Sequence, residues 1–231
     1  MRRWPKYVLT GAIAVFLLTL PLLTDSRAVI NLFTHVFIFG IFAMSYNLLL
    51  GYTGIVSFGH ALFFGSGAYL MGLLLKNLGP GLTTVLLGFA AVAVFALAVS
   101  LIIGVLSLRV RDVYFAMLTL AFGELFFIAA LKLRSITGGE DGFSFSVPPA
   151  LQDRVLYYYL VLFVFVVVSW FLGTFVSSPA GAVLQAIREN EQRAAALGYD
   201  VFRYKLLSTV VAGILAGLAG TLYGLQQRFV S

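Results

Sequence analysis

Few side chains in this 231-residue chain are equipped for chemistry. Glu124 is the most conspicuous, standing in LAFGELFF (residues 120–127) near the middle of an apolar stretch. A carboxylate there costs roughly 2.5–3.5 kcal/mol unless it finds a partner, water or a proton. Glu124 could line a transport path or hold a proton; equally, it could make a structural hydrogen bond to a Ser, Thr or Tyr of a neighbouring helix. His60, just past the break Gly51-Tyr52-Thr53-Gly54, and His35 are weaker candidates, because a lone intramembrane histidine is more often a satisfied polar contact than a relay. The turn-rich loop through Thr137, Gly138 and Gly139 is a further candidate. With no cysteine and only two histidines, thiolate chemistry and metal-ligand spacing are both missing from the sequence. No GxxxxGK[ST] phosphate-binding loop occurs either.

A second kind of function is carried by the polar island at residues 177–205, SSPAGAVLQAIRENEQRAAALGYDVFRYK. Ser178 is a good N-cap, and Pro179 suits the first helical position, where its missing N–H costs nothing. Ala180, Val183, Leu184 and Ile187 fall at i, i+3, i+4 and i+7, which predicts one apolar stripe. Gln185, Arg188, Glu189 and Gln192 are left on the other faces. Ala194, Ala195, Ala196 and Leu197 carry further helical turns that Gly198 can end in a left-handed conformation, and Asp200 can cap the next segment. Such a helix can lie on a lipid surface, dock in a groove of a soluble partner, or serve only as a solvated loop. Surface-lying helices favour Lys and Arg opposite bulky anchors, whereas small alanines and an Arg/Glu mixture fit a protein partner better.

The elements that hold these groups are hydrophobic spans. The chain is 61% hydrophobic and only 10% charged, with a mean hydropathy of +1.02. Soluble domains run near 25% charged, so the expectation is an all-α polytopic membrane protein. Seven spans are predicted: residues 7–23, 28–50, 57–75, 82–108, 114–131, 156–176 and 206–225. The first follows MRRWPK and lacks a small-x-small cleavage site, which reads as an uncleaved anchor. The net charge of +6 is read by position, as topology, and implies no nucleic-acid partner. If every stretch crosses, Arg2, Arg3, Lys6, Arg109, Arg111, Arg188, Arg193, Arg203 and Lys205 share the side of the island. Arg27, Lys76, Lys132, Arg134, Arg154 and Arg228 then lie opposite. That bias puts the island in the cytoplasm. The glycine-rich third stretch is the exception that would invert the rest, should it re-enter instead of crossing.

In the last span, Gly213, Gly217, Gly220 and Gly224 form two GxxxG units set seven residues apart, hence on one face suited to close helix packing.

Four stretches together resemble one family: NLLLGYTG (47–54) running into SFGHALFFGSGAY (57–69); LRVRDVYFAMLTLAFGE (108–124); TGGEDG (137–142); and AIRENE (186–191) through ALG (196–198) to RYK (203–205). The chain is similar to the permease subunit of bacterial branched-chain amino-acid ABC importers, and urea and short-amide permeases are similar. The resemblance implies a single permease domain over residues 1–231 in the bacterial inner membrane, with a cytoplasmic ATPase-coupling segment at 177–205. Pro179, Leu184, Ile187, Arg188, Glu189, Asn190, Glu191, Ala195 and Gly198 would form the coupling surface. The resemblance also implies two cytoplasmic ABC ATPase subunits, a second homologous permease and a soluble or lipid-anchored solute-binding protein. ATP would act through the partner, with no cofactor held directly and no enzyme activity in this chain. Family members usually continue beyond this point, so the resemblance suggests a C-terminal truncation just after a packing face left without its partner. The rival functions are an ion-coupled carrier, in which Glu124 titrates and the break at 51–54 binds solute, and a membrane scaffold whose island recruits a soluble protein.

Overall fold

A computed structural model describes residues 16–23, 26–110 and 113–231. Arg2, Arg3, Lys6, the start of the first predicted span, and Arg111 with Asp112 lie outside the described residues. A helical segment at 16–23 (α1) leads into α2 (Arg27–Asn47), which widens into a π-type turn at Leu48–Thr53. Next come α3 (Ala61–Leu78), α4 (Leu82–Ser107), α5 (Val113–Lys132) and the single turn α6 (Arg134–Thr137). After a loop stand α7 (Arg154–Ser177), α8 (Pro179–Glu189), α9 (Glu191–Ala196) and α10 (Val201–Gln227). Residues 27–53 together with α3, α4, α5, α7 and α10 give six helices long and apolar enough to cross a membrane among the described residues. They correspond to the second to seventh predicted spans.

The helix α10 is the axis of the packing, lying against α3, α4 and α2. Its composition explains why. Ala212, Ala216, Ala219 and Leu222 are fully buried, and the glycine stripe lets two neighbours approach at backbone distance. Gly213 and Gly217 face Ser100 and Val92 of α4, while Gly220 backs onto the Phe64 carbonyl and Gly224 onto Ala68 of α3. Gly67 of α3 in turn meets the Gly217 carbonyl. The expectation of an unpartnered glycine face is therefore corrected: α3 and α4 already fill it. Phenol groups add polar ties, since Tyr157 Oη donates to the Leu222 carbonyl at 2.5 Å and Tyr158 Oη to that of Leu17 at 2.7 Å. By contrast, α4, α5 and α7 turn large apolar side chains outward, among them Leu86, Val94, Phe163 and Trp170, as expected of lipid-facing or partner-facing surfaces.

Successive spans alternate in direction. One end of the bundle gathers the turn at 48–53, the end of α4 with residues 108–110, α8 and α9. The other gathers the starts of α2 and α7, the end of α10 and the loop 133–153. In that loop, Phe143–Ser144 (β1) pairs antiparallel with Phe229–Val230 (β2), Phe143 opposite Val230. The sequence pattern predicted only loop there. Lys76, at the end of α3, sits 4.8 Å over the Phe143 ring. Thus α3 crosses the bundle, and the basic residues described at each end divide as the crossing topology predicts.

Candidate functional site

The island folds from its own local signals. Ser178 Oγ accepts from Gly181 N at 3.4 Å, and Pro179 opens α8. Asn190, in extended conformation, ends α8 and caps α9 by accepting from Arg193 N at 2.8 Å. Gly198 then takes φ +92°, and Asp200 Oδ1 accepts from Arg203 N at 3.1 Å to start α10. Of the predicted stripe, Val183 and Ile187 are buried with Ala194 against Val201 and Tyr204, and Leu184 is buried in the main core of the bundle. Leu184 and Ile187 therefore seat the island on the bundle, whereas Pro179, Arg188, Glu189, Asn190, Glu191, Ala195 and Gly198 remain at the surface. Glu191 is held by an ion pair to Lys205 at 2.6 Å. Leu197 (72% exposed) and Tyr199 (42%) extend the outward face with apolar surface.

The same end contains the helix break. Arg188 Nη1 donates to the Gly51 carbonyl, and the Arg188 side chain lies against Gly54, whose φ is +76°. From Gly54 the backbone is irregular and turns at residues 58–60, and burial alternates: Thr53, Ile55, Ser57 and Gly59 in, Gly54, Val56 and Phe58 out. Phe58 N donates to Thr119 Oγ1 at 3.2 Å. Thr119 is six residues into α5, so at 1.5 Å per residue this segment climbs about 9 Å before α3 begins. Irregular backbone at such depth survives only when protein or a cavity surrounds it. Here it lines a cavity of about 380 Å³, walled by Leu108, Val113 and Ala116 and rimmed by Glu191 and Lys205.

His60 ends this segment and is 3% exposed. Its Nε2 lies 2.9 Å from Ser45 Oγ, and Phe42 and Tyr46 pack on the ring. It is thus a buried contact between α2 and the start of α3. Glu124, by contrast, points out of the bundle on the poorly covered face of α5, beside Leu120, Leu125 and Ile128. The hydrogen bond to a neighbouring Ser, Thr or Tyr is not made among the described residues. Thr137, Gly138 and Gly139 lie at the opposite end, where Thr137 Oγ1 donates to the Ala130 carbonyl at 2.5 Å and closes the turn after α5. The path candidates are consequently dispersed. Gly51 and Gly54 join the island, His60 is interior, Glu124 faces outward, and 137–139 cap the far end.

Sequence reasoning missed the Arg188–Gly51 link, the Asn190 cap and the Glu191–Lys205 pair. Asn190 offered a signal, since Asn before Glu191 is a good N-cap choice.

These features define an all-α polytopic membrane domain in which one broken span is tied to a capped helix outside the bundle. The chain belongs to the family described as the branched-chain amino acid transport system / permease component, whose model matches residues 28–231. It is 31% identical to the high-affinity branched-chain amino acid transport system permease protein LivM of Escherichia coli K12, over 89% of this chain and 54% of that protein. The LivM protein of Salmonella typhimurium matches equally, and a probable LivM permease of Methanocaldococcus jannaschii is 25% identical over 80% of this chain and 64% of its own length. The chain spans about half the length of the first two. No solved structure matches it.

Proposed function

We propose that this chain acts as a membrane-spanning permease subunit of an ATP-driven importer for branched-chain or related amino acids, located in a bacterial cytoplasmic membrane. The observation that carries this reading is the island. Its apolar stripe is spent on seating α8 and α9, yet Glu189, Ala195, Leu197 and Tyr199 stay outward, forming a mixed polar and apolar surface for a protein partner. Two cytoplasmic ATPase subunits are the partners this surface would serve. ATP would be bound and hydrolysed on them, with no catalytic residue or cofactor in this chain. Movement of the island would reach the helix break through Arg188 and Gly51, opening and closing a pathway shared with a second permease subunit. A binding protein on the far side would deliver the solute.

The test is a tagged purification in mild detergent, comparing wild type with Glu189→Arg and Ala195→Asp combined. Recovery of two ATPase chains and a second permease with wild type, and loss of the ATPases alone in the variant, supports the reading. Absence of any ATPase from both preparations overturns it.

A further inference from the structure

Glu124 stands where it cannot reach the rest of its own bundle. Phe115 and Thr119 of α5 are buried. Glu124 follows Phe115 by about two and a half turns at 3.6 residues per turn, so it points the opposite way. Rolling α5 to bring the carboxyl inside would expel Phe115 and break the bond from Phe58 N to Thr119 Oγ1. Val113, Met117, Leu120 and Ile128 share the outward face with Glu124, and all are exposed. The span is also the least covered of the six, packed chiefly on α3 and α4. A carboxyl near mid-span is costly in hydrocarbon unless protein or water meets it. The side chains around Glu124 on this face are wholly apolar, which suits a protein partner and not a water-filled lining.

We propose that this stripe is a contact between two copies of this chain, α5 against α5, with the two Glu124 carboxyls paired at its centre. Copies inserted with the same topology are related by a two-fold axis along the membrane normal, so a residue on such a contact meets its own counterpart at its own depth. Among the exposed side chains of the described spans, Glu124 is the one hydrogen-bonding group within a turn of a span's middle. Any other face of a second copy would therefore set it against apolar side chains. The self-contact instead gives the O–H of one carboxyl the oxygen of the other to donate to. Positions 113, 117, 120, 124 and 128 recur in steps of four and three, the spacing of a seam between two parallel helices, and a polar group inside such a seam fixes its register. The inference deepens the importer reading and rests on it for the second subunit's place in transport, whereas the contact itself rests on Glu124.

The chain contains no cysteine, so single-cysteine variants report directly. Leu120→Cys and Ile128→Cys, each in the full chain purified and reconstituted at low density in phosphatidylcholine liposomes, are oxidised with copper phenanthroline. Val94→Cys on α4 and Phe163→Cys on α7, both outward near mid-span, gauge random collision. The stripe variants should give a disulfide-linked product of twice the chain's mass about tenfold or more faster than these controls, because only α-carbons within about 7 Å can be bridged. Adding Glu124→Leu to Ile128→Cys should slow that product about three- to tenfold, the range of one interhelical hydrogen bond in a membrane, whereas Glu124→Gln should not. Unchanged thermal unfolding in detergent shows that each variant is folded. Cross-linking no faster than in the controls overturns the proposal. Labelling of the stripe cysteines by a charged methanethiosulfonate would then put water against Glu124, and no labelling would put lipid or an unlike partner there. Cross-linking that Glu124→Leu leaves unchanged overturns it as well. The two readings fail separately. Cross-linking without ATPase recovery removes only the importer reading, and ATPase recovery without cross-linking removes only the α5 contact.

Discussion

Arg188 on α8 donates a hydrogen bond to the main-chain carbonyl of Gly51, a residue 137 positions earlier in the π-type turn that ends α2. Among the described residues, the bond joins the external helix pair α8–α9 to the broken span. Residues 54–60, which climb into the bundle from that turn, end on His60 between Ser45 and Phe42. The bond therefore ties α8 to the backbone of the helix break itself.

Replacing Arg188 with Ala should separate docking from transmission. The bond is exposed, so its loss should cost about 1 kcal/mol or less of stability, and Glu189, Ala195, Leu197 and Tyr199 of the outward surface are left in place. ATPase subunits should still co-purify, while solute-stimulated ATP hydrolysis in proteoliposomes should drop about tenfold, the scale of one charged hydrogen bond. Full stimulation in the variant would show that transmission runs elsewhere.

Gly220 sits where a Cβ would collide with the Phe64 carbonyl, whereas Gly65, one residue along α3 from Phe64, has open space around it. Gly220→Ala should destabilise by about 1–3 kcal/mol, as overpacking does. Gly65→Ala should be neutral or stabilising by up to about 1 kcal/mol, from helix propensity alone. Thermal melts of the two variants in one detergent make the comparison. Equal melting temperatures would contradict the close α3–α10 contact.

Asn190→Ala removes the side chain that accepts from Arg193 N and divides α8 from α9. The expected cost is about 1 kcal/mol, typical of a lost N-cap. It should be local, seen as faster amide exchange over residues 191–198 with little change in the spans.

Much of the island was legible because its signals are local. Ser178, Pro179, Gly198 and Asp200 act within a few residues of themselves, and the stripe at 183, 184 and 187 comes from helical period alone. The glycine face of α10 was legible as a packing surface for the same reason. Its partners were not, because α3 and α4 are found only by folding the chain back on itself. The Arg188–Gly51 bond is hidden likewise. The division at Asn190 was missed because strong helix formers on both sides read as one run. The orientation of Glu124 was illegible for another cause. Apart from Glu124, residues 113–131 of α5 are almost uniformly apolar, so no amphipathic pattern says which face turns inward.

That orientation gives the most discriminating prediction. Glu124 lies outward at mid-span with no hydrogen-bond partner among the described residues, so nothing in this chain's packing depends on it. Glu124→Gln should therefore leave the thermal stability of the purified chain within about 0.5 kcal/mol of wild type. In lipid, however, a polar group at that depth requires a protein surface or water against it. Glutamine keeps the hydrogen-bonding shape and removes only the titratable proton. For an ATP-driven importer, vesicle uptake with the ATPases present should survive this change and remain independent of an imposed proton gradient. For an ion-coupled carrier, uptake should follow the gradient without any ATPase and collapse in Glu124→Gln. Measuring uptake in the four combinations of energy source and variant decides between them, because only the carrier makes the carboxyl proton part of the work cycle.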